Sequence, residues 1–177
     1  MKIFTVFLMS ILLISAPLSI GNANERQFDA GLIALLDSQG NNIGKAEFTE
    51  LRNKGVKIHV EIINLPPGVH GIHIHEFGKC EPPDFTSSGR HFNPVGKQHG
   101  FNNPKGFHNG DLPNLVVGKD GKVIADFVTE ALTLEEGQPN SIRRPEGTSL
   151  IIHEKADDYN ADPSGNSGGR IACGVIK

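Results

Sequence analysis

Helical periodicity is missing from this chain. After its apolar start, no stretch of the 177 residues sustains a helical spacing of apolar side chains, and that argues against a helical fold. Basic excess is missing too: 17 Lys and Arg stand against 20 Asp and Glu, a formal charge of −3 that becomes −4 if Lys2 leaves with a leader. A mildly acidic chain argues against nucleic acid as a partner. It says little about a small anion, because local field outweighs net charge. There is no internal repeat and no linker, so the chain reads as one domain after its leader. Cysteine is scarce: Cys80 and Cys173 are the two. They leave one pairing, a bridge favoured by an oxidising compartment, or else two buried free thiols. No cysteine follows the apolar start, which excludes a lipid-modified cysteine at the mature end.

What is present begins with that start. Met1-Lys2 is short and basic, and Ile3 to Ile20 carries no charge. Pro17 closes the apolar core, and Gly21-Asn22-Ala23 offers small residues for cleavage. Residues 1–23 therefore read as a secretory signal peptide, and residues 24–177, 154 in number, as the mature domain. The competing reading is a membrane anchor, since about 20 apolar residues can span a bilayer. Ser10, Ser15, Pro17 and Ser19 weaken such a span. The expectation is an exported protein, periplasmic or secreted, with no stable membrane insertion after cleavage.

The mature region reads as short strands with turns between them. Lys57-Ile58-His59-Val60-Glu61-Ile62 alternates strictly, one face apolar and the other wet. Ser38-Gln39-Gly40-Asn41-Asn42 and Lys119-Asp120-Gly121-Lys122 are turn signals. Residues 28–36, 45–51, 114–117, 123–128, 149–153 and 170–176 are the other strand candidates. Such spacing suggests an antiparallel sandwich or barrel.

Five of the eight histidines, at positions 73, 75, 91, 99 and 108, fall between Gly71 and Asp111, and His153 returns downstream. Neutral imidazole suits zinc and copper, and a carboxylate joins such sets readily. His73 and His75 alternate on one strand and so share a face, while Ile72 and Ile74 face the other way. His91, His99, His108 and Asp111 sit in a Gly-, Pro- and Asn-rich stretch that reads as a long ordered loop. A loop of that length needs something to hold it, and a metal would. His59 reads as a solvated residue on the polar side of its strand. His70, after the Pro66-Pro67-Gly68 turn, reads as a hydrogen-bonding residue.

The H-x-H pair at 73–75, His91-Phe92-Asn93-Pro94, His108-Asn109-Gly110-Asp111 at the end of the metal loop, His153-Glu154-Lys155-Ala156-Asp157-Asp158 and Gly168-Gly169-Arg170-Ile171-Ala172-Cys173 together resemble the copper-zinc superoxide dismutases. The resemblance covers essentially the whole mature chain. It implies an all-β fold, an eight-stranded antiparallel Greek-key sandwich or barrel with long metal-binding and active-site loops. It implies one copper ion on His73, His75, His91 and His153, and one zinc ion on His91, His99, His108 and Asp111, with His91 bridging the two. Asp157 would link His73 to His99, Cys80 would be bridged to Cys173, and Arg170 would orient superoxide over copper. The implied catalytic residues are Arg170 and His91.

Two departures limit what can be carried over. The loop from Glu154 to Gly169 is shorter than in the eukaryotic branch. It holds Glu154, Asp157, Asp158 and Asp162 against Lys155 alone, so guidance of an anion falls to Arg170 with Lys97 or Lys105 in the metal loop. The chain also stops at Lys177, where eukaryotic members continue into their dimer contact. Both features look like the exported bacterial branch, and a homodimer is left open. The alternative function is a non-catalytic exported module of the same fold that binds or delivers copper. A complete copper set plus Arg170 favours the enzyme.

Overall fold

The structure is a computed structural model and describes residues 29–52 and 54–177. Phe28 and the proposed leader lie outside the described residues. Among the described residues nine strands form: β1 Asp29–Asp37, β2 Asn42–Leu51, β3 Gly55–Ile62, β4 Gly68–His70, β5 Ile72–His75, β6 Leu115–Val117, β7 Val123–Thr129, β8 Thr148–His153 and β9 Arg170–Ile176. Seven of them make a sheet in the order β5-β8-β9-β1-β2-β3-β7, with β4 and β6 as a separate two-stranded ribbon. All of these pairings are antiparallel. The sheet curls on itself, and the ribbon lies between its edges: β4 runs through Gly71 into β5, and β6 turns at residues 118–122 into β7. The crossing from β7 to β8, residues 130–147, runs from one edge of the sheet to the strand next to the other edge and gives the Greek-key path.

The sequence pattern suggests eight strands, and the ninth arises at Gly71. This glycine leaves the ladder to donate its N–H to the Lys155 carbonyl (2.8 Å) and to accept from the His153 N–H (2.8 Å). The strand before it therefore pairs with β6 and the strand after it with β8. The break brings the 154–169 loop against the H-x-H strand.

Alternation places the core. On β3, Val56, Ile58, Val60 and Ile62 are buried while Lys57, His59 and Glu61 point outward. Each fully buried aliphatic side chain contributes roughly 1.5–3 kcal/mol. The outward face is more partnered than a bare solvated surface. The His59 ring makes hydrogen bonds with Asp126 (2.9 Å) and Glu61 (3.2 Å), and Lys45 and Lys57 reach the same two carboxylates at 3.0 Å each. The hydrogen bond to Asp126 leads the causes that raise the His59 pKa above its usual value.

β5 departs from this in-and-out rule. All four of its residues are buried. Ile72 and Ile74 enter the main core, while His73 and His75 lie under the loop that follows. β8 is likewise buried throughout. Both strands are covered on two sides, by the core and by the loops that hold the remaining histidines.

Candidate metal centre

The loop after β5 is stitched to it by main-chain hydrogen bonds. Ile74 N–H donates to Gly110 (2.9 Å), Phe92 N–H donates to Ile74 (2.8 Å) and Glu76 N–H donates to Arg90 (2.9 Å). These bonds set His91 opposite His75 and Asp111 opposite His73. Gly110 makes the approach possible: a Cβ there would sit 2.3 Å from the Ile74 carbonyl oxygen. β8 delivers His153 beside β5, and the 154–169 loop carries Asp157 inward.

Two overlapping clusters result. His73, His75, His91 and His153 form one, and His91, His99, His108 and Asp111 form the other, with donor atoms in each cluster all within 4.8 Å of one another. All seven residues are buried. His70 stays apart and hydrogen-bonds the carbonyls of His153 (2.8 Å) and Pro66 (2.8 Å), and His59 lies on the outer sheet face.

The partners of each ring decide which nitrogen faces inward. His73 Nε2–H donates to Asp157 Oδ2 (2.7 Å) and leaves Nδ1 free. His75 Nδ1–H donates to the Gly89 carbonyl (3.0 Å), and His153 Nδ1–H to the Gly168 carbonyl (3.2 Å). Their Nε2 atoms then face each other at 3.4 Å. His91 Nδ1 meets Asp111 Oδ1 at 3.0 Å, while its Nε2 is buried without a partner on the side of the first cluster. His99 Nδ1 lies 3.1 Å and His108 Nδ1 3.5 Å from that same Oδ1. His99 Nε2–H donates to Asp157 Oδ1 at 2.9 Å.

Asp157 thus holds one histidine of each cluster, fixing tautomer and orientation as a carboxylate behind a ligand does. It is itself fixed: its N–H donates to Asn114 Oδ1 (2.8 Å), and its carbonyl accepts from Asn114 Nδ2 (2.9 Å). Gly165 packs so close that a Cβ would fall 1.9 Å from Asp157 Oδ1.

The electrostatics ask for a cation. Burial holds His73, His75 and His91 below the usual imidazole range, and lowers His153 to about 4. Neutral imidazole is the form that binds metal. Burial works in the same direction at His99, but hydrogen bonds to Asp111 and Asp157 outweigh it and raise the pKa to about 9. Burial opposes charge on Asp111 and Asp157 too, yet the histidines around them hold both below the usual carboxylate range. The carboxylates demand positive charge between them, and a divalent ion meets that demand while releasing the protons. His73 Nδ1, His91 Nε2 and His108 Nδ1 are buried with no hydrogen-bond partner, and each such atom costs about 1–3 kcal/mol if left so. A metal in each cluster would satisfy all three, so the residues fit two metals.

Arg170 begins β9 half-buried. Its Nη1 donates to the Phe85 carbonyl (2.6 Å) and Ser88 Oγ (3.0 Å), and its Nη2 to the Gly89 carbonyl (2.6 Å). These contacts leave part of the guanidinium unused. Cys80 and Cys173 are bridged, with no free cysteine.

Sequence reasoning missed several supports. Asp162 accepts the His99 main-chain N–H (2.7 Å), and the Tyr159 hydroxyl accepts the Asn114 N–H (2.6 Å). A cleft of about 430 Å³ opens beside His91 and His108, lined by Arg90, Lys97 and Arg144 together with Glu76 and Asp162. Lys105 is not among its lining residues. A larger cavity of about 670 Å³ lies elsewhere, between β1, β2, β3 and β7, and is mostly apolar with none of these histidines at its wall. Its size does not make it the site, because the donor atoms and the charge are all at the clusters.

Residues 42–176 match the family described as copper/zinc superoxide dismutase. Among curated relatives, superoxide dismutase [Cu-Zn] 1 of Aquifex aeolicus is 48% identical over 144 residues, covering 81% of this chain and 85% of that protein. Superoxide dismutase [Cu-Zn] 2 of the same organism is 44% identical over 177 residues, covering 99% of each. The crystal structure of a SOD-like protein from Bacillus subtilis superposes with a TM-score of 0.81 at 46% identity, covering 82% of this chain and 97% of that one.

Proposed function

This chain belongs to the copper/zinc superoxide dismutase family, and from that premise we infer how its own residues carry the reaction. Its activity is dismutation: two superoxide anions and two protons become oxygen and hydrogen peroxide. Its cofactors are copper and zinc. We assign copper to His73, His75, His91 and His153, and zinc to His91, His99, His108 and Asp111. The observation that carries this division is His91, whose Nδ1 belongs to one cluster and whose Nε2 lies buried and unpartnered in the other.

When bound, copper would supply one-electron exchange with superoxide, and His91, His99, His108 and Asp111 would hold zinc. Arg170 keeps its charge at any working pH and presents its unused N–H groups to the anion. His91 Nε2 takes a proton in one half of the cycle and delivers it to the nascent peroxide in the other, while water supplies the second proton. Asp157 keeps His73 and His99 in the tautomers that face their Nδ1 atoms inward. The test is superoxide removal by the mature protein loaded with copper and zinc, with zinc alone, and with neither. Catalysis should require copper. Equal rates in all three would overturn the assignment in favour of a metal-binding module.

Superoxide is an anion and the chain is net acidic, so approach depends on local positive charge. Arg90, Lys97 and Arg144 line the cleft that reaches His91. Of the two metal-loop lysines favoured by sequence, Lys97 has this position and Lys105 does not. Exposed charges act over a Debye length of about 10 Å at 0.1 M salt. Added salt should therefore slow the reaction. Lys97→Glu and Arg144→Glu should each lower the second-order rate about three- to tenfold at low salt and flatten its salt dependence. Lys105→Glu should do less. Wild-type rates in both cleft variants would mean that guidance comes from another surface.

The Cys80–Cys173 bridge suggests export from a reducing cytoplasm. Among the described residues no helix is long and apolar enough to cross a membrane. We assign residues 1–23 to a cleaved leader and the mature protein to the periplasm or medium. The mass of the exported protein should begin at Asn24, and a product retaining Met1 to Ala23 would refute the leader.

A further inference from the structure

The turn at residues 85–89 supports two functional side chains at once. Its Gly89 carbonyl accepts from both Arg170 Nη2 (2.6 Å) and His75 Nδ1 (3.0 Å). Its Phe85 carbonyl accepts from Arg170 Nη1 (2.6 Å). Carbonyls are available from any residue at these positions, but the third contact requires a side-chain hydroxyl. Ser88 is fully buried. Its hydroxyl donates to the Phe85 carbonyl (2.8 Å), which turns the oxygen lone pairs toward Arg170 Nη1 (3.0 Å), and Oγ lies 3.4 Å from His75 Nδ1. The neighbouring Ser87 does something different: its Oγ accepts the Glu81 N–H (3.1 Å) within the loop.

A guanidinium has five N–H donors in a rigid plane. The turn engages three of them, so the direction of the other two depends on how firmly those three are held. Without the Ser88 oxygen, Nη1 keeps one acceptor and the plane can pivot about the two carbonyls. The same hydroxyl lies against the ring edge that fixes the His75 tautomer. We propose that Ser88 is a positioning residue. It sets the angle of the Arg170 fork and registers that fork against His75, so that an anion docked on Arg170 meets the copper position. The proposal rests on the reading of Arg170 as the docking group beside copper.

Azide, a small anion that binds copper directly, is the probe, and its affinity for copper- and zinc-loaded protein is read by optical titration. Ser88→Ala should weaken azide binding about three- to tenfold, less than the full loss of a hydrogen bond to a charged group, because Ser88 touches Arg170 and not the anion. Copper content, zinc content and melting temperature should stay near wild type. Ser87→Ala and Ser88→Thr, which keeps the hydroxyl, should bind azide within about twofold of wild type. In an Arg170→Lys background, Ser88→Ala should add little, because its effect passes through the guanidinium. Wild-type affinity in Ser88→Ala would overturn the proposal. So would an equal loss in both backgrounds, or the same loss in Ser88→Thr as in Ser88→Ala. Failure of the wild-type protein to bind azide at copper would instead remove the Arg170 reading, and this inference with it.

Discussion

A protein carrying His153→Ala should keep its zinc and lose its dismutation. His153 belongs to the first cluster alone, and its ring Nε2 faces that of His75 at 3.4 Å. The second cluster contains none of its atoms, so His91, His99, His108 and Asp111 keep their mutual distances. Removing a partner behind a ligand typically costs 10- to 100-fold in affinity or activity, and removing the ligand itself should cost more than about a hundredfold. The His153 main chain is a separate matter. Its N–H donates to the Gly71 carbonyl (2.8 Å) and its carbonyl accepts from His70 (2.8 Å), and alanine preserves both. Zinc near one per chain with activity at background is the expected result. Full activity would take His153 out of the copper set, and loss of zinc would show that the two clusters do not assemble separately.

Replacing both Cys80 and Cys173 with serine should lower the melting temperature by roughly 10–20 °C. The bridge spans 93 positions. A closed loop of that size stabilises by about 4–5 kcal/mol in the chain-entropy account, and each kcal/mol is worth about 2–4 °C for a domain of this length. Function should suffer along with stability. Phe85 packs with Ile151, Cys173 and Cys80 in a small cluster of its own, and Phe85 opens the turn that holds Arg170. Melting must be compared at matched metal content, because bound metal stabilises by mass action. A fall of only a few degrees would mean that the metals and the main-chain stitching hold the loop without the bridge.

What could be read in the sequence follows from how local each signal is. β3 was legible because Ile58, Val60 and Ile62 alternate with polar residues, and the structure buries them, extending the same alternation back to Val56. The inward Ile72 and Ile74 followed from the same rule. β4 was not legible: three residues, two of them exposed, carry no period. Its separation from β5 depends on partners of Gly71 that lie more than eighty positions away. The histidine clusters were found through motifs that fix residue type and order together. Their supports were not. Asp162 looks like one more acid in a short loop, and only the fold puts it 2.7 Å from the His99 N–H. Ser88 looks like one of two adjacent serines until β9 brings Arg170 across 82 positions. Arg144 stands in a loop with no motif, and only the fold brings it to the cleft beside His91.

The two metals stand on different kinds of ground. Three of the four histidines assigned to copper come from adjacent strands, His73 and His75 on β5 and His153 at the end of β8, whose register is fixed by the core on their other face. All four residues assigned to zinc come from one connecting segment, between Phe77 and Pro113. Side chains on strands are held more narrowly than side chains on loops, and a one-residue slip of β5 would exchange its histidines for isoleucines. Redesign therefore meets two unequal problems. The zinc segment can be lengthened, shortened or grafted as a unit, provided it still docks beside Ile74. The three strand-borne histidines assigned to copper, His73, His75 and His153, cannot be moved without rebuilding the sheet, so they are the part of this molecule that descent with change should find hardest to revise.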